Sequence, residues 1–188
     1  MLHTYRVVLL FCAPLAISGC AGSPTTYLTL RAVPPEKTVT VASKQPIAVS
    51  HPSIPPDIDR AHFTVQTGPS TMHVAGNTVW VAPLGGMIQL TLAQNLAARL
   101  PNTQVLMPGD LMPPSGARQV RVNILHFMPA RAGQVSLQAN WSILSPSGQI
   151  QGQGHAQFSL NGGATPADEA HTMSLALARL AAQIAEQL

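Results

Sequence analysis

The chain has 188 residues, of which 46% are hydrophobic and only 9% are charged, with ten Lys and Arg against seven Asp and Glu. The formal charge of +3 and the scattered basic residues argue against a nucleic-acid-binding protein, which usually carries clustered Lys and Arg. With so few charges, Gln, Ser, Thr, Asn and Gly must cover much of the surface. Such a surface suits a protein that meets partners or lipid at a membrane.

The first 19 residues have the pattern of an export signal. His3 and Arg6 give a short basic start, and residues 7–16 form an apolar core. This core is too short to cross a bilayer, since a spanning helix needs roughly 20 apolar residues. Residues 17–20 (ISGC) then resemble the bacterial lipobox, an aliphatic residue and two small ones before an obligatory cysteine. We therefore expect residues 1–19 to be removed, and Cys20 to carry an S-diacylglyceryl group and an N-acyl chain.

The alternative interpretation is an ordinary secretory signal with an incidental cysteine near the cleavage site. It would leave one unpaired thiol in an oxidising compartment, which is uncommon. Because Cys12 lies in the discarded segment, the mature chain of 169 residues has a single cysteine and no intramolecular disulfide. We expect residues 20–26 to be a lipidated tether and residues 27–188 to form one domain.

Short strands and one helix are predicted in the first half of this domain. Residues 27–30 and 47–49 read as strands around a loop at 33–44, and the prolines of residues 51–56 exclude a helix and a central strand. Further strands are predicted at 63–65, 72–74 and 78–81, with turns at Gly68-Pro69 and Gly76-Asn77. A helix that Pro83 opens and Pro101 stops is indicated by apolar residues at every fourth position, which are Leu84, Ile88, Leu92, Leu96 and Leu100.

The second half predicts a strand at 103–107, a loop to Gly116, a three-stranded meander and a second helix. Apolar and polar residues alternate over 120–124, 135–143 and 150–160, which favours antiparallel strands with one face on a core. Thr165 and Asp168 suit the start of the C-terminal helix. This order of elements predicts an α+β fold, an antiparallel sheet with two principal helices packed on one face.

Four segments of the chain carry a family resemblance. They are residues 23–30 (SPTTYLTL), 54–60 (IPPDIDR), 80–84 (WVAPL) and 92–100 (LAQNLAARL). In this order they resemble the ABC-type transport auxiliary lipoprotein family, the group that includes paraquat-inducible protein C. The resemblance spans most of the mature chain, although Ala82 stands where the family usually has a glutamate.

The resemblance implies a non-enzymatic role in moving lipids or keeping the envelope intact. Family members are anchored in the outer membrane facing the periplasm, and they work with an MCE-domain protein and inner-membrane transporter subunits. Ala21, directly after the cysteine, is compatible with export to the outer membrane. Within the matching segments, Trp80, Leu84, Asp57 and Arg60 are the candidate contacts for a partner or for lipid. A homo-oligomer is left open.

No residue pattern points to catalysis, to a metal or to a cofactor other than the lipid on Cys20. The seven histidines form no HxH or HxxxH pair, and GxSxG is absent. Asp57 and Asp59 could suggest paired carboxylates, but in a proline-rich loop a turn or a surface ion pair is the favoured interpretation. Two alternative functions stay open, a lipoprotein that binds lipid directly in a groove and an envelope hydrolase.

Overall fold

The computed structural model describes residues 23–41, 45–110, 116–131 and 133–188. The predicted signal segment, Cys20 and the first residues of the tether lie outside these ranges. Along the described chain the elements are β1 (Thr26–Leu28), β2 (Ile47–Val49), β3 (His62–Gly68), β4 (Thr71–Trp80), α1 (Leu84–Arg99), β5 (Val105–Leu106), β6 (Arg118–Pro129), β7 (Gln134–Leu144), β8 (Ile150–Asn161) and α2 (Pro166–Ala185).

The predicted α+β class is confirmed, and the sheet is divided in two. One sheet has the order β5-β2-β6-β7-β8, and a smaller one has the order β1-β4-β3. The meander β6-β7-β8 is antiparallel, as its alternation predicts. The short strands differ, because β2 pairs parallel to β5 and β6, and β1 pairs parallel to β4. Parallel neighbours must be joined by long crossovers, which a local residue pattern does not reveal.

One face of the meander and the two helices form the main core. Alternate residues of the three long strands turn inward and are covered by α2, while α1 packs against α2 and against β2 and β5. The largest fully buried side chains of this core include Ile124, Leu137, Ile143, Ile88, Leu92, Leu96 and Met173. The helix stripes predicted from the sequence are therefore the faces that are buried.

The second helix begins as predicted and the first begins without a side-chain cap. The Thr165 hydroxyl accepts from the Asp168 backbone N–H at 3.2 Å, and the Asp168 carboxylate accepts from the Thr165 backbone N–H at 3.2 Å. This reciprocal pair satisfies two N–H groups at the helix start. In α1, Pro83 stands just before the first helical residue, and its carbonyl accepts from the Met87 N–H at 3.1 Å.

The predicted turn at Gly76-Asn77 is wrong. Both residues lie within the continuous strand β4, and the hairpin turn falls between Gly68 and Thr71. The pairing register of β3 with β4 shifts opposite Gly76 and Asn77, since His62 pairs with Val79 while Thr64 pairs with Val74. The glycine and asparagine therefore lie in a bulged part of the strand, which uses the same residue types as a turn.

Candidate functional site

Three of the four segments that carry the resemblance meet at the end of β4. The Trp80 N–H donates to the Ala61 carbonyl at 2.7 Å, which joins the segment 80–84 to the residue after 54–60. The next residue, Val81, donates its N–H to the Leu28 carbonyl at 2.9 Å, which joins it to the segment 23–30. These two hydrogen bonds bring together three segments that are far apart in sequence. We call the surface that they form, around Leu28, Ala61, Trp80 and Val81, the rim.

The segment 54–60 is a compact turn. The N–H groups of Ile58 and Asp59 donate to the Pro55 carbonyl at 3.2 and 3.1 Å. Arg60 closes the turn, because its Nε donates to the Asp57 carbonyl at 2.9 Å. Both aspartates and the arginine are exposed, so this part of the rim presents charge to solvent.

A groove of about 380 Å³ opens between this turn and the end of β4. We call it the Trp80 groove, and its lining residues are Asp59, Arg60, Ala61, Trp80, Ala82 and Pro83. Trp80 is only 7% exposed, and its ring meets that of Phe63 edge to face, with centroids 5.4 Å apart. Burial and this contact hold the indole in place, so the groove has an aromatic wall, with the carboxylate of Asp59 and the guanidinium of Arg60 beside it.

The four candidate contact residues lie close together in the structure, but they differ in their exposure to the groove and to solvent. Trp80 and Arg60 line the groove. Leu84 is 2% exposed and lies in the core beside Trp80, so it supports the groove from beneath. Asp57 is exposed in the turn, outside the groove itself.

Ala82 is exposed and also lines the groove. The resemblance implies a glutamate at this position. In this chain a methyl group takes its place. The groove is therefore less acidic and more apolar than the family pattern implies.

His126 of β6 is coupled to the turn through Asp57. Partial burial lowers the pKa of His126, and the nearby negative charge of Asp57 acts in the opposite direction. Burial disfavours the charged imidazolium, whereas a neighbouring carboxylate favours it. The sequence pattern held no sign of this pair, because Asp57 and His126 lie far apart in the chain.

Removal of the charge at Asp57 should therefore lower the pKa of His126 further. In Asp57→Asn the desolvation of the imidazole remains while its favourable partner is lost. The measurement is an NMR titration of the His126 ring in the two proteins. Asp59→Asn is the matched control and should leave the titration unchanged. An unchanged or raised His126 pKa in Asp57→Asn would contradict the placement of the turn against β6.

Two larger cavities lie elsewhere, each of about 620 Å³. One is on the outer face of the meander beside Arg121 and Asn140, and the other runs between residues 33–37 and α2. Neither contains a residue of segments 54–60 or 80–84. In the described ranges, no group of three or more His, Cys, Asp and Glu is placed to hold a metal ion.

Four of the six groove residues were not among the predicted contacts, namely Asp59, Ala61, Ala82 and Pro83. Ala61 follows directly on the segment 54–60, so its position was the available signal. Its pairing with Trp80 could not be foreseen, because the bulge in β4 displaces the register of the hairpin.

Comparisons with known proteins agree with this architecture. The family described as ABC-type transport auxiliary lipoprotein component matches residues 28–185. A solved structure of an uncharacterized protein is similar with a TM-score of 0.74 and 18% identity, over 88% of this chain and 99% of that chain. A protein from Xanthomonas campestris is similar with a TM-score of 0.64 and 16% identity, over 87% of this chain and 93% of that one. No curated protein matches the sequence. At these identities the two structures support the fold alone.

Proposed function

Because the chain belongs to the ABC-type transport auxiliary lipoprotein family, we propose that it is a non-enzymatic docking subunit of an MCE-type lipid transport system at the outer membrane. In this proposal Cys20 carries the lipid anchor, and the domain faces the periplasm. It binds an MCE-domain protein that connects it to the transporter subunits of the inner membrane. The system moves lipid between the membranes and so maintains the envelope.

The observation that carries the proposal is the convergence of the matching segments at the Trp80 groove. Hydrogen bonds from Trp80 and Val81 tie the three segments into one rim, and the rim surrounds a groove with a fixed aromatic wall. Recognition sites in proteins commonly combine an apolar surface with a few placed polar groups. Here the apolar part comes from Trp80 and Pro83, and Asp59 and Arg60 supply charges of opposite sign.

The chemistry of the groove fits a protein partner that offers an apolar side chain with charged groups beside it. A side chain seated against Trp80 would gain buried apolar area, and a carboxylate beside it could bind Arg60. With alanine at position 82, no carboxylate at that position competes for the guanidinium. Asp59 also lines the groove, so its carboxylate and the guanidinium of Arg60 are both available to a partner.

Site-specific photo-cross-linking tests the docking. With a benzophenone amino acid at Ala82, we expect an adduct with the envelope-spanning MCE protein when both proteins are present in the same cells. The matched control has the same amino acid at Gln157, which is exposed on β8. Adduct formation at Ala82 and not at Gln157 supports the proposal.

Two results would contradict the docking proposal. One is the absence of an adduct from Ala82 with both proteins well expressed. The other is equal cross-linking from Ala82 and Gln157, which would indicate non-specific proximity. Lipid covalently bound at Ala82, without any protein adduct, would favour the alternative of direct lipid binding in the groove.

A further inference from the structure

Tyr27 and Val81 are apolar side chains that the fold leaves in solvent next to each other. Tyr27 is 68% exposed and Val81 is 59% exposed. Tyr27 in β1 pairs with Val79 in β4, and the Val81 N–H extends the same ladder by donating to the Leu28 carbonyl at 2.9 Å. Paired strands lie about 4.8 Å apart, so these side chains form one patch. We call Tyr27, Val79 and Val81 the Tyr27 face.

The Tyr27 face is distinct from the core side of the same strands. Leu28 and Trp80 are 4% and 7% exposed, and their side chains turn into the protein. Successive side chains of a strand point to opposite faces, so Tyr27 and Val79 turn outward where Leu28 and Trp80 turn inward. The indole that forms the wall of the Trp80 groove therefore leaves the sheet on the other side from Tyr27.

The start of β1 is fixed to the rest of the domain. Thr26 pairs with Thr78, and a little further on the Arg31 N–H donates to the Ser174 hydroxyl at 3.2 Å. The Val33 N–H donates to the Asn95 side-chain oxygen at 2.9 Å. These contacts reach both helices, so residues 26–33 move with the domain.

The tether restricts which surface can approach the membrane. Five residues separate Cys20 from Thr26, and such a segment spans at most about 20 Å when fully extended. A domain of this size is roughly 40 Å across. A lipid on Cys20 therefore holds the side on which β1 begins close to the bilayer. Tyr27 lies on that side, one residue after Thr26.

We propose that the Tyr27 face lies against the lipid surface and orients the domain on the membrane. This inference rests on the proposed lipidation of Cys20. Tyrosine is enriched at membrane interfaces because its ring is apolar and its hydroxyl stays hydrated, and valine adds apolar area beside it. None of the three side chains of the Tyr27 face carries a charge at neutral pH, which keeps the desolvation cost of burying them low. The exposed His62 of β3, which pairs with Val79, borders this face.

A polarity-sensitive NBD fluorophore tests the orientation in the full lipidated protein. The fluorophore is attached to Tyr27→Cys or to Ile150→Cys, and the protein is reconstituted in phosphatidylethanolamine and phosphatidylglycerol vesicles with brominated acyl chains. Ile150 is the matched control, because it is apolar and 62% exposed on β8 of the other sheet. We expect the brominated lipid to quench the probe at position 27 at least twofold more than the probe at position 150.

A second variant separates the effect of the Tyr27 side chain on orientation from the effect of the tether. With the probe at Val81→Cys, the additional change Tyr27→Ser should lower quenching by brominated lipid, since the tether is intact and only the interfacial side chain is lost. Both positions are exposed, so these variants should keep the fold.

Failure of this inference is distinguishable from failure of the proposed anchor. The membrane contact of the Tyr27 face is overturned if the protein remains bound to the vesicles but the probe at position 27 is not quenched, or is quenched no more than the probe at position 150. That result would not contradict the lipid anchor. A protein that does not bind the vesicles at all overturns the anchor, and the orientation with it.

Discussion

Cys20→Ser should transfer the protein completely from the membrane fraction to the soluble periplasmic fraction. The acyl chains on the cysteine contribute membrane affinity of about 0.8 kcal/mol per buried CH₂, and the substitution removes all of it. No helix in the described part of the chain is long and apolar enough to cross a membrane. Because residue 20 precedes β1, the free energy of unfolding of the domain should stay unchanged. Cell fractionation and thermal unfolding measure the two effects.

The export route must be controlled in this experiment. If cleavage failed in the variant, the apolar core at residues 7–16 would itself hold the precursor on a membrane. The variant should therefore be exported on an ordinary cleavable secretory signal. Ser23→Ala, in the tether and with the native signal, is the matched control and should remain with the membrane. Membrane association of correctly cleaved Cys20→Ser would show that the anchor lies elsewhere.

Gly154→Ala should reduce the free energy of unfolding by about 1–3 kcal/mol, the usual cost of overpacking a core. A Cβ at this position in β8 would lie 2.5 Å from Cζ2 of Trp141, which is closer than real Cβ contacts allow. Trp141 is 4% exposed and belongs to the main core, so its ring has little room to move. In a domain of this size, each kcal/mol lowers Tm by roughly 2–4 °C.

Gly76→Ala is the matched control, because Gly76 also lies in a strand and has no atom within 4 Å of an added Cβ. Neither glycine has a positive φ, so alanine can adopt the backbone conformation at both positions. The control should leave stability unchanged or raise it by about 0.5–1 kcal/mol, the usual gain when alanine replaces a strand glycine. Chemical denaturation monitored by circular dichroism compares the two variants. Equal stability of both would contradict the packing of Trp141 on Gly154.

The proposed docking role places the groove and the lipid anchor on one small domain. With a lipid on Cys20, the tether would hold the start of β1 near the bilayer, and β4, which pairs with β1, ends at the Trp80 groove. A partner that arrives from the periplasm would therefore meet the domain close to the membrane. Lipid delivered by that partner would have a short path to the outer membrane.

Local patterns were sufficient for most of the elements. The meander was predictable because alternation of apolar and polar residues over three long segments is typical of antiparallel strands with one buried face. The start of α2 was predictable because Thr165 and Asp168 are only three residues apart and cap the helix together. Gly154 of β8 lies against the ring of Trp141 of β7, a contact between strands that the period-2 pattern does not reveal. The prediction of a turn at Gly76-Asn77 was wrong because turns and β-bulges favour the same residue types.

By itself, the sequence determined the α+β class, the two amphipathic helices and the candidate anchor at Cys20, because each depends on residues that are close along the chain. Only the tertiary structure decided the parallel pairing of β1 with β4, the union of three matching segments around the Trp80 groove and the exposure of Tyr27 beside Val81. The physical reason is that these features depend on strand pairing between distant residues. Such pairing is set by how the helices and both sheets share one core, and not by the periodicity of any single segment.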